Sequence, residues 1–370
     1  MKRSVVLLAV AMAFTAACGS APAATAPTGS AQPAPSISAD SSVPAANLDG
    51  VKQYLLDNGN NVLKANVTAL QTNVDQYYAA VKAANFDYRA AWGDGTALRP
   101  LILNMRKAFN EAHTGYESVE GIVAGVPSLS NFDTILDAGS PGSAGGDNVA
   151  EYTLTLPDGT ALDKPGNHFH NLLEPLIYGS DLTRMKLSDV DVDGDGAVGF
   201  GDALPDANLL KGATDSLAGY VDQTMAAING WQPSAQDAFT AMVTMTPTMG
   251  EYFNNWKESR FVSGAASQEP AFVAKSRLVD VTQILGSIRT IYTGVEPLIQ
   301  AKDPAAAQQI KQNYSSLSDF VQGLVAKEQS GTTYTPDQAD VLGKTAQDQA
   351  QAITGQVAQT AALLQIQIDE

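Results

Sequence analysis

Apolar residues recur along most of this chain at helical spacing, and that periodicity constrains the fold more than any other feature. Val51, Leu55, Val62, Val67, Leu70, Val74 and Tyr77 return mostly at intervals of three, four and seven through a polar background. Such spacing lays them along one stripe of a long helix. A second helix is expected over 98–123, after the turn-rich WGDG. Residues 127–147 are dominated by Gly, Ser and Asp, a loop composition. EYTLTLPDGTALDK then alternates in period two around Pro157-Asp158-Gly159, which predicts a small β-hairpin. A helix restarts near His168. Further helices are expected near 208–228, 233–246, 249–260, 269–300, 304–328 and 336–367. Asp303-Pro304 and Thr335-Pro336 mark two of the starts, with proline in the first turn after a capping side chain.

The first residues point to an address. MKRSVVLLAVAMAFTAACGS opens on Lys2 and Arg3 and continues in an apolar run from Val5 to Ala17. That run is too short for a permanent span and has the shape of a signal peptide, 1–17. Its end, TAAC, resembles a bacterial lipobox. Cys18 is the only cysteine in the chain and is the candidate for lipidation. More than one acyl chain on Cys18 anchors a protein firmly. The expectation is a membrane-anchored lipoprotein on the periplasmic or extracellular face, joined to the membrane through its lipid. Residues 18–47, rich in Ala, Pro, Ser and Thr, cannot bury a core and read as a tether.

The formal charge of -17 becomes -17 - 2 = -19 once Lys2 and Arg3 leave with the leader. Nucleic acid is excluded as a partner, because phosphate neutralisation needs a basic surface. An acidic protein of this kind attracts cations.

Only three histidines occur, His113, His168 and His170, and each stands beside well-spaced carboxylates. His113, Glu117 and Glu120 are four and three apart, which brings them to one face of a helix. His170 and Glu174 are again four apart. Imidazole and carboxylate converging from two helices is what a transition-metal site in a helical protein requires. DVDGDGAVGFGD, from Asp191 to Asp202, is the most specific short motif. Asp191, Asp193, Asp195 and Asp202 fall at positions one, three, five and twelve of an EF-hand-like calcium loop. Gly196 takes the sharp turn at six, and Ala197 offers its carbonyl at seven. Aspartate at twelve predicts weaker binding than glutamate would give. Trp92, Trp231 and Trp256, like the stripe Met242, Met245 and Met249, are expected to fill core. Arg260 is a basic residue that either pairs with a buried carboxylate or closes a helix.

Several segments resemble the imelysin-like family, including its EfeO-type iron-uptake lipoproteins. AHTGYESVE is similar to the family's Tyr-Glu-x-x-Glu. FHNLLEPLIYG resembles its Gly-x-His-x-x-Glu followed by an apolar run, an aromatic and Gly. NWKESRFVSG, FVAKSRLVDVTQILGSIRTIYTGVEPLI and TTYTPDQADVLGKTAQDQAQAI resemble later parts, so the likeness runs from Leu48 to the end. Asp133 and Asp137 match acidic positions of the family. The alignment departs at one place. With Glu174 and Gly179 in register, Asn171 stands where the signature has histidine, and His170 is one residue early. On an α-helix one residue is a rotation of about 100°, so His170 faces the site only if the helix bulges or starts late.

The resemblance implies an all-α fold of two antiparallel helical bundles, 48–230 and 231–370, with the hairpin and calcium loop inserted in the first. It implies a site holding iron or another transition metal, with Glu117, Glu120, Asp137, His170, Asn171 and Glu174 as candidate ligands. An iron permease or other uptake component becomes the expected partner. Two other readings stand beside metal binding for uptake. One is a metal-dependent peptidase of the same family, although no His-Glu-x-x-His is present. The other is a calcium-stabilised surface binding protein whose metal site has decayed.

Overall fold

The computed structural model describes residues 46–369, which fall within one compact unit, Val43–Glu370. The expected leader, the expected lipid attachment at Cys18 and the tether up to residue 45 lie outside the described residues. The described chain is mainly helical, with two very small antiparallel sheets. Among the described residues no helix is long and apolar enough to cross a membrane.

The first helical stretch runs as α1 (Leu48–Asn58), a π turn (Gly59–Lys64) and α2 (Ala65–Ala83). Its buried stripe is Val51, Leu55, Gly59, Leu63, Val67, Leu70, Val74 and Tyr77. Leu63, not Val62, is the buried residue, and the π turn is the reason. A strict repeat of four drifts round an α-helix, and a turn that takes up an extra residue brings the stripe back into line. Short α3 (Tyr88–Trp92) follows, then α4 (Arg99–Val123). The second half of α4 is buried on almost every face, because α2 packs on one side of it and a later helix, α11 (Arg277–Lys302), on another. Gly115 permits a close approach of the first π turn as well. A Cβ there would stand 2.6 Å from the backbone nitrogen of Leu63.

After α4 the chain forms α5 (Ser130–Asp133) and a second π turn (Thr134–Ala138). The expected hairpin is present as β1 (Thr153–Thr155) paired with β2 (Ala161–Asp163), Leu154 opposite Leu162. A third π turn (His168–Leu173) leads into α6 (Glu174–Tyr178). A ribbon of β3 (Met185–Leu187) and β4 (Leu204–Pro205), without a counterpart in the sequence expectations, closes the acidic loop at its base. The next helix starts at residue 207, close to the expected 208. The Asp206 carboxylate caps α7 (Ala207–Gly230) by accepting from the Asn208 and Leu209 amides.

The remainder is α8 (Ala235–Met245), α9 (Met249–Glu258), α10 (Arg260–Ser263), α11, α12 (Pro304–Gln329) and α13 (Pro336–Leu364). Asp303 and Thr335 cap the last two, as their sequences require. The three tryptophans and the three methionines of the stripe are buried in the core. A further expectation fails here. Residues 269–276 are not helical, and α11 begins only at Arg277 under a Ser276 cap.

Candidate metal centre

Three other pieces of chain converge on the buried half of α4. That helix contributes His113, Glu117 and Glu120, at 1%, 0% and 2% exposure. The second π turn contributes Asp137, the third His170, and the start of α11 Arg277 and Asp280. The third π turn answers the register question raised by the alignment. The amide of Glu174 reaches the carbonyl of Phe169, five residues back, so the turn takes up one residue more than an α-helix. His170 and Glu174 thereby share a face across three intervening residues. Asn167 caps the turn, its side chain accepting from the amides of His170 and Asn171 at 2.8 and 3.1 Å.

His113, Glu117, Asp137 and His170 each offer one ligand atom, and these atoms lie within 4.8 Å of one another. His113 Nε2 is 2.8 Å from Glu117 Oε1 and 3.2 Å from Asp137 Oδ1. His170 Nε2 approaches the same Asp137 oxygen at 3.2 Å, without hydrogen-bond geometry. Neighbouring ligands of a six-coordinate ion at about 2.1 Å stand about 3.0 Å apart, so these edges suit a first-row metal. Buried polar atoms without partners gather here: His113 Nδ1, Glu117 Oε2, Glu120 Oε2 and His170 Nε2. Such atoms are rare in native interiors and call for an explanation, an ion among them.

The cluster is charged throughout. Burial opposes ionisation of Asp137, but His170 and His113 outweigh it and hold the carboxyl well below its usual range. Glu117 is likewise lowered against burial by Arg277, whose Nη1 lies 2.6 Å from Oε1, and by His113. Burial also opposes protonation of His170, yet Asp137 and Glu174 lift its pKa to about 10. His113 is raised too, with Glu117 and Asp137 overcoming burial and the Lys275 ammonium. Burial pushes Asp133 up to about 7, and Asp137 adds to the rise. Binding a metal would replace the imidazolium protons with the ion, since only the neutral ring ligates.

The other candidate ligands sit apart from this set. Glu120 is raised well above the ordinary range by burial and by Glu117, and it accepts from the Tyr252 hydroxyl at 2.8 Å. Asn171 turns its amide oxygen to the Asn167 backbone amide, 3.2 Å away. Glu174 lies behind His170. It accepts from His170 Nδ1 at 2.9 Å and from the backbone amides of Phe272, Val273 and Ala274 at 2.8–2.9 Å. Phe272 has φ +53°, and this left-handed residue curls successive amides into an anion-binding concavity. That demand for free amides is why 269–276 does not continue as helix. His113, which spacing places on the face of Glu117, joins the cluster instead. Arg277 and Asp280, 3.1 Å apart at Nη1 and Oδ2, were invisible to spacing arguments, although Ser-Arg-x-x-Asp opening a helix is a local trace of them. Arg260 does not reach the site. It stacks on Phe200, 3.8 Å from the ring centre. His168 is separate as well, with Nδ1 donating to the Ile135 carbonyl and Nε2 accepting from Ser216.

A cavity of about 250 Å³ descends from Asn148 and Glu251 at the surface to Asp137, His170, Glu120 and Arg277. In the acidic loop, ligand atoms of Asp191, Asp193 and Asp202 lie within 4.8 Å of one another. Asp195 instead accepts from the Ala197 amide at 2.8 Å. Buried Asp202 holds the loop closed by accepting from the Val192 and Gly199 amides.

The family model described as Imelysin matches residues 51–365. No curated protein matches the sequence. Among solved structures, an iron-regulated protein A precursor from Parabacteroides distasonis is similar at 13% identity, over 87% of this chain and 96% of that one, with a TM-score of 0.44.

Proposed function

The chain belongs to the imelysin family, and from that premise we propose that it is a membrane-anchored lipoprotein that binds an iron ion and serves its uptake. The observation that carries this reading is the buried set His113, Glu117, Asp137 and His170, with ligand atoms within 4.8 Å of one another. Two imidazoles and two carboxylates suit iron, as mixed nitrogen and oxygen donors do in other non-haem sites. Glu174 stands behind His170 as a carboxylate stands behind a metal-bound imidazole, fixing ring orientation and tautomer. Under this reading the lipid on Cys18 holds the protein at the membrane, and an iron permease receives the ion. Holding an ion fits better than hydrolysing a polypeptide, because a cavity of about 250 Å³ is smaller than the clefts that take even drug-sized ligands. Calcium in the acidic loop is part of the same proposal. Asp191, Asp193 and Asp202 supply its carboxylates, and the ion would brace the ribbon at the base of α7.

The test is elemental analysis and titration of the purified mature protein with iron, zinc, copper and calcium. One transition-metal ion per chain, lost on Asp137→Asn, is the expected result. Stoichiometric iron that persists in both D137N and H170Q would place the ion elsewhere and end this reading.

A further inference from the structure

Arg277 is buried beside the cluster with one edge of its guanidinium unused. Nη1 serves Glu117 and Asp280, at 2.6 and 3.1 Å. Nη2 stands 3.9 Å from Asp137 Oδ2, beyond hydrogen-bond distance. Nε is buried without a partner. The rings of Tyr252 and Phe272, 4.7 and 5.0 Å from the guanidinium carbon, restrict its plane. Nε and Nη2 form one side of the guanidinium fork, the pair that grips a planar oxyanion through two parallel hydrogen bonds. A buried donor left unmet is costly, as Nε is here, and Nη2 beside it has only the 3.9 Å approach to Asp137, so one planar acceptor could serve both.

The cavity adjoining Arg277 offers room for that acceptor. It is shared by Arg277, Asp137 and His170, and its volume of about 250 Å³ far exceeds the roughly 30 Å³ share of one water. An ion held there would have a matching need. Four protein atoms would leave a six-coordinate metal short of ligands, as in other histidine and carboxylate iron sites. Of the four residues that would hold it, Asp137 and His170 line the cavity, so a further ligand would reach it from that side. With His170 neutral as a ligand, Arg277 is the remaining cation among the cavity's lining residues, and a negative group placed between it and the ion would be attracted from both ends.

We propose that the site takes a planar oxyanion, carbonate or a small carboxylate, which joins the Nε and Nη2 edge of Arg277 to the open positions of the ion held by His113, Glu117, Asp137 and His170. The inference rests on the metal-binding reading above and adds a second, anionic ligand to it. Metal and anion would then bind cooperatively, and Arg277 would be a positioning residue for the anion.

The experiment is an anaerobic titration of the mature protein with ferrous iron against a competing chelator. The arms are carbonate-free buffer, millimolar bicarbonate and millimolar acetate. A gain in iron affinity of about tenfold or more is expected in at least one anion arm, the scale of a charge-assisted bidentate pair, and the arm that shows it identifies the source of the oxyanion. Arg277→Lys keeps the charge and removes the edge, so R277K should bind iron at its anion-free level in every arm. Equal affinity in all arms of the wild type overturns the inference and leaves the metal reading standing. So does an undiminished anion gain in R277K. Should R277K not fold, the wild-type arms decide alone. Absence of bound iron in every arm overturns both the inference and the proposed function.

Discussion

Glu174→Gln tests the role of the signature glutamate directly. Glu174 Oε1 accepts from the amides of Val273 and Ala274, and Oε2 from the amide of Phe272 and from His170 Nδ1. A carboxamide retains one oxygen and turns the other position into a donor. Two charge-assisted hydrogen bonds are then lost, each worth roughly 1.5–3 kcal/mol. Residues 272–274 are only half-buried, so water recovers part of the loss, and about 2–4 kcal/mol remains. At roughly 2 °C per kcal/mol for a long chain, the metal-free melting temperature should fall by about 4–8 °C. The pH dependence carries a second signature. Burial opposes ionisation of Glu174, but His170 and the Ala274 amide outweigh it and lower its pKa. Its contribution is therefore complete above the ordinary carboxyl range near pH 4.3 and is lost as pH falls through the lower folded value. E174Q should flatten that acid limb while leaving the neutral-pH offset in place. Iron affinity should drop by about 10–100-fold, the usual effect of removing a carboxylate behind a ligating histidine. Urea denaturation at several pH values, with chelator present, reads the stability. A change below about 0.5 kcal/mol would refute the claim that this carboxylate ties His170 to 272–274.

Four further substitutions are read from the structure, and a fifth, at Cys18, from the sequence alone. Gly115→Ala places a Cβ 2.6 Å from the Leu63 nitrogen, so a net loss of about 1–2 kcal/mol is expected despite better helix propensity. Gly219→Ala, in α7 with nothing within 4 Å, should instead be neutral or stabilising, and a destabilised G219A would contradict the packing argument. His168 is buried neutral, its pKa lowered by burial to about 4 although the Ile135 carbonyl resists. Below pH about 6.5 the unfolded chain takes up a proton that the folded one refuses, so stability falls between pH 6.5 and 4, by up to about 3 kcal/mol. H168Q should lack that component, and pH profiles parallel to wild type would remove it. Asp191→Ala should abolish any rise in melting temperature that calcium gives the wild type, since a ligand of the native state stabilises by mass action; equal melting of wild type in calcium and in chelator ends the calcium reading. Cys18→Ser should move the protein from the membrane fraction to the soluble one, and unchanged fractionation would argue against lipid attachment.

Helices were legible in the sequence wherever their causes are local. The stripe of α4, the prolines and caps that open α12 and α13, and the Pro-Asp-Gly turn of the hairpin depend on neighbours a few residues away. The approximate spans came out for that reason, and so did the placing of His113 and Glu117 on one face. Tertiary packing decided the rest. No local signal says that a π turn will take up the residue between Phe169 and Glu174, because the turn holds only while Asn167 caps it and Asp137 and Glu174 engage His170. Leu63 replaces Val62 in the core by the same device, pressed against Gly115. Residues 269–276 carry a pattern that reads as helix. They are unwound because the Glu174 carboxylate, 98–100 residues away in sequence, accepts the amides that a helix would have used. Arg277 faces Glu117 across a separation of 160 residues, and such a pairing has no period for a sequence to display. A charge buried far from water is placed by its partners, and those partners meet only when the helices pack.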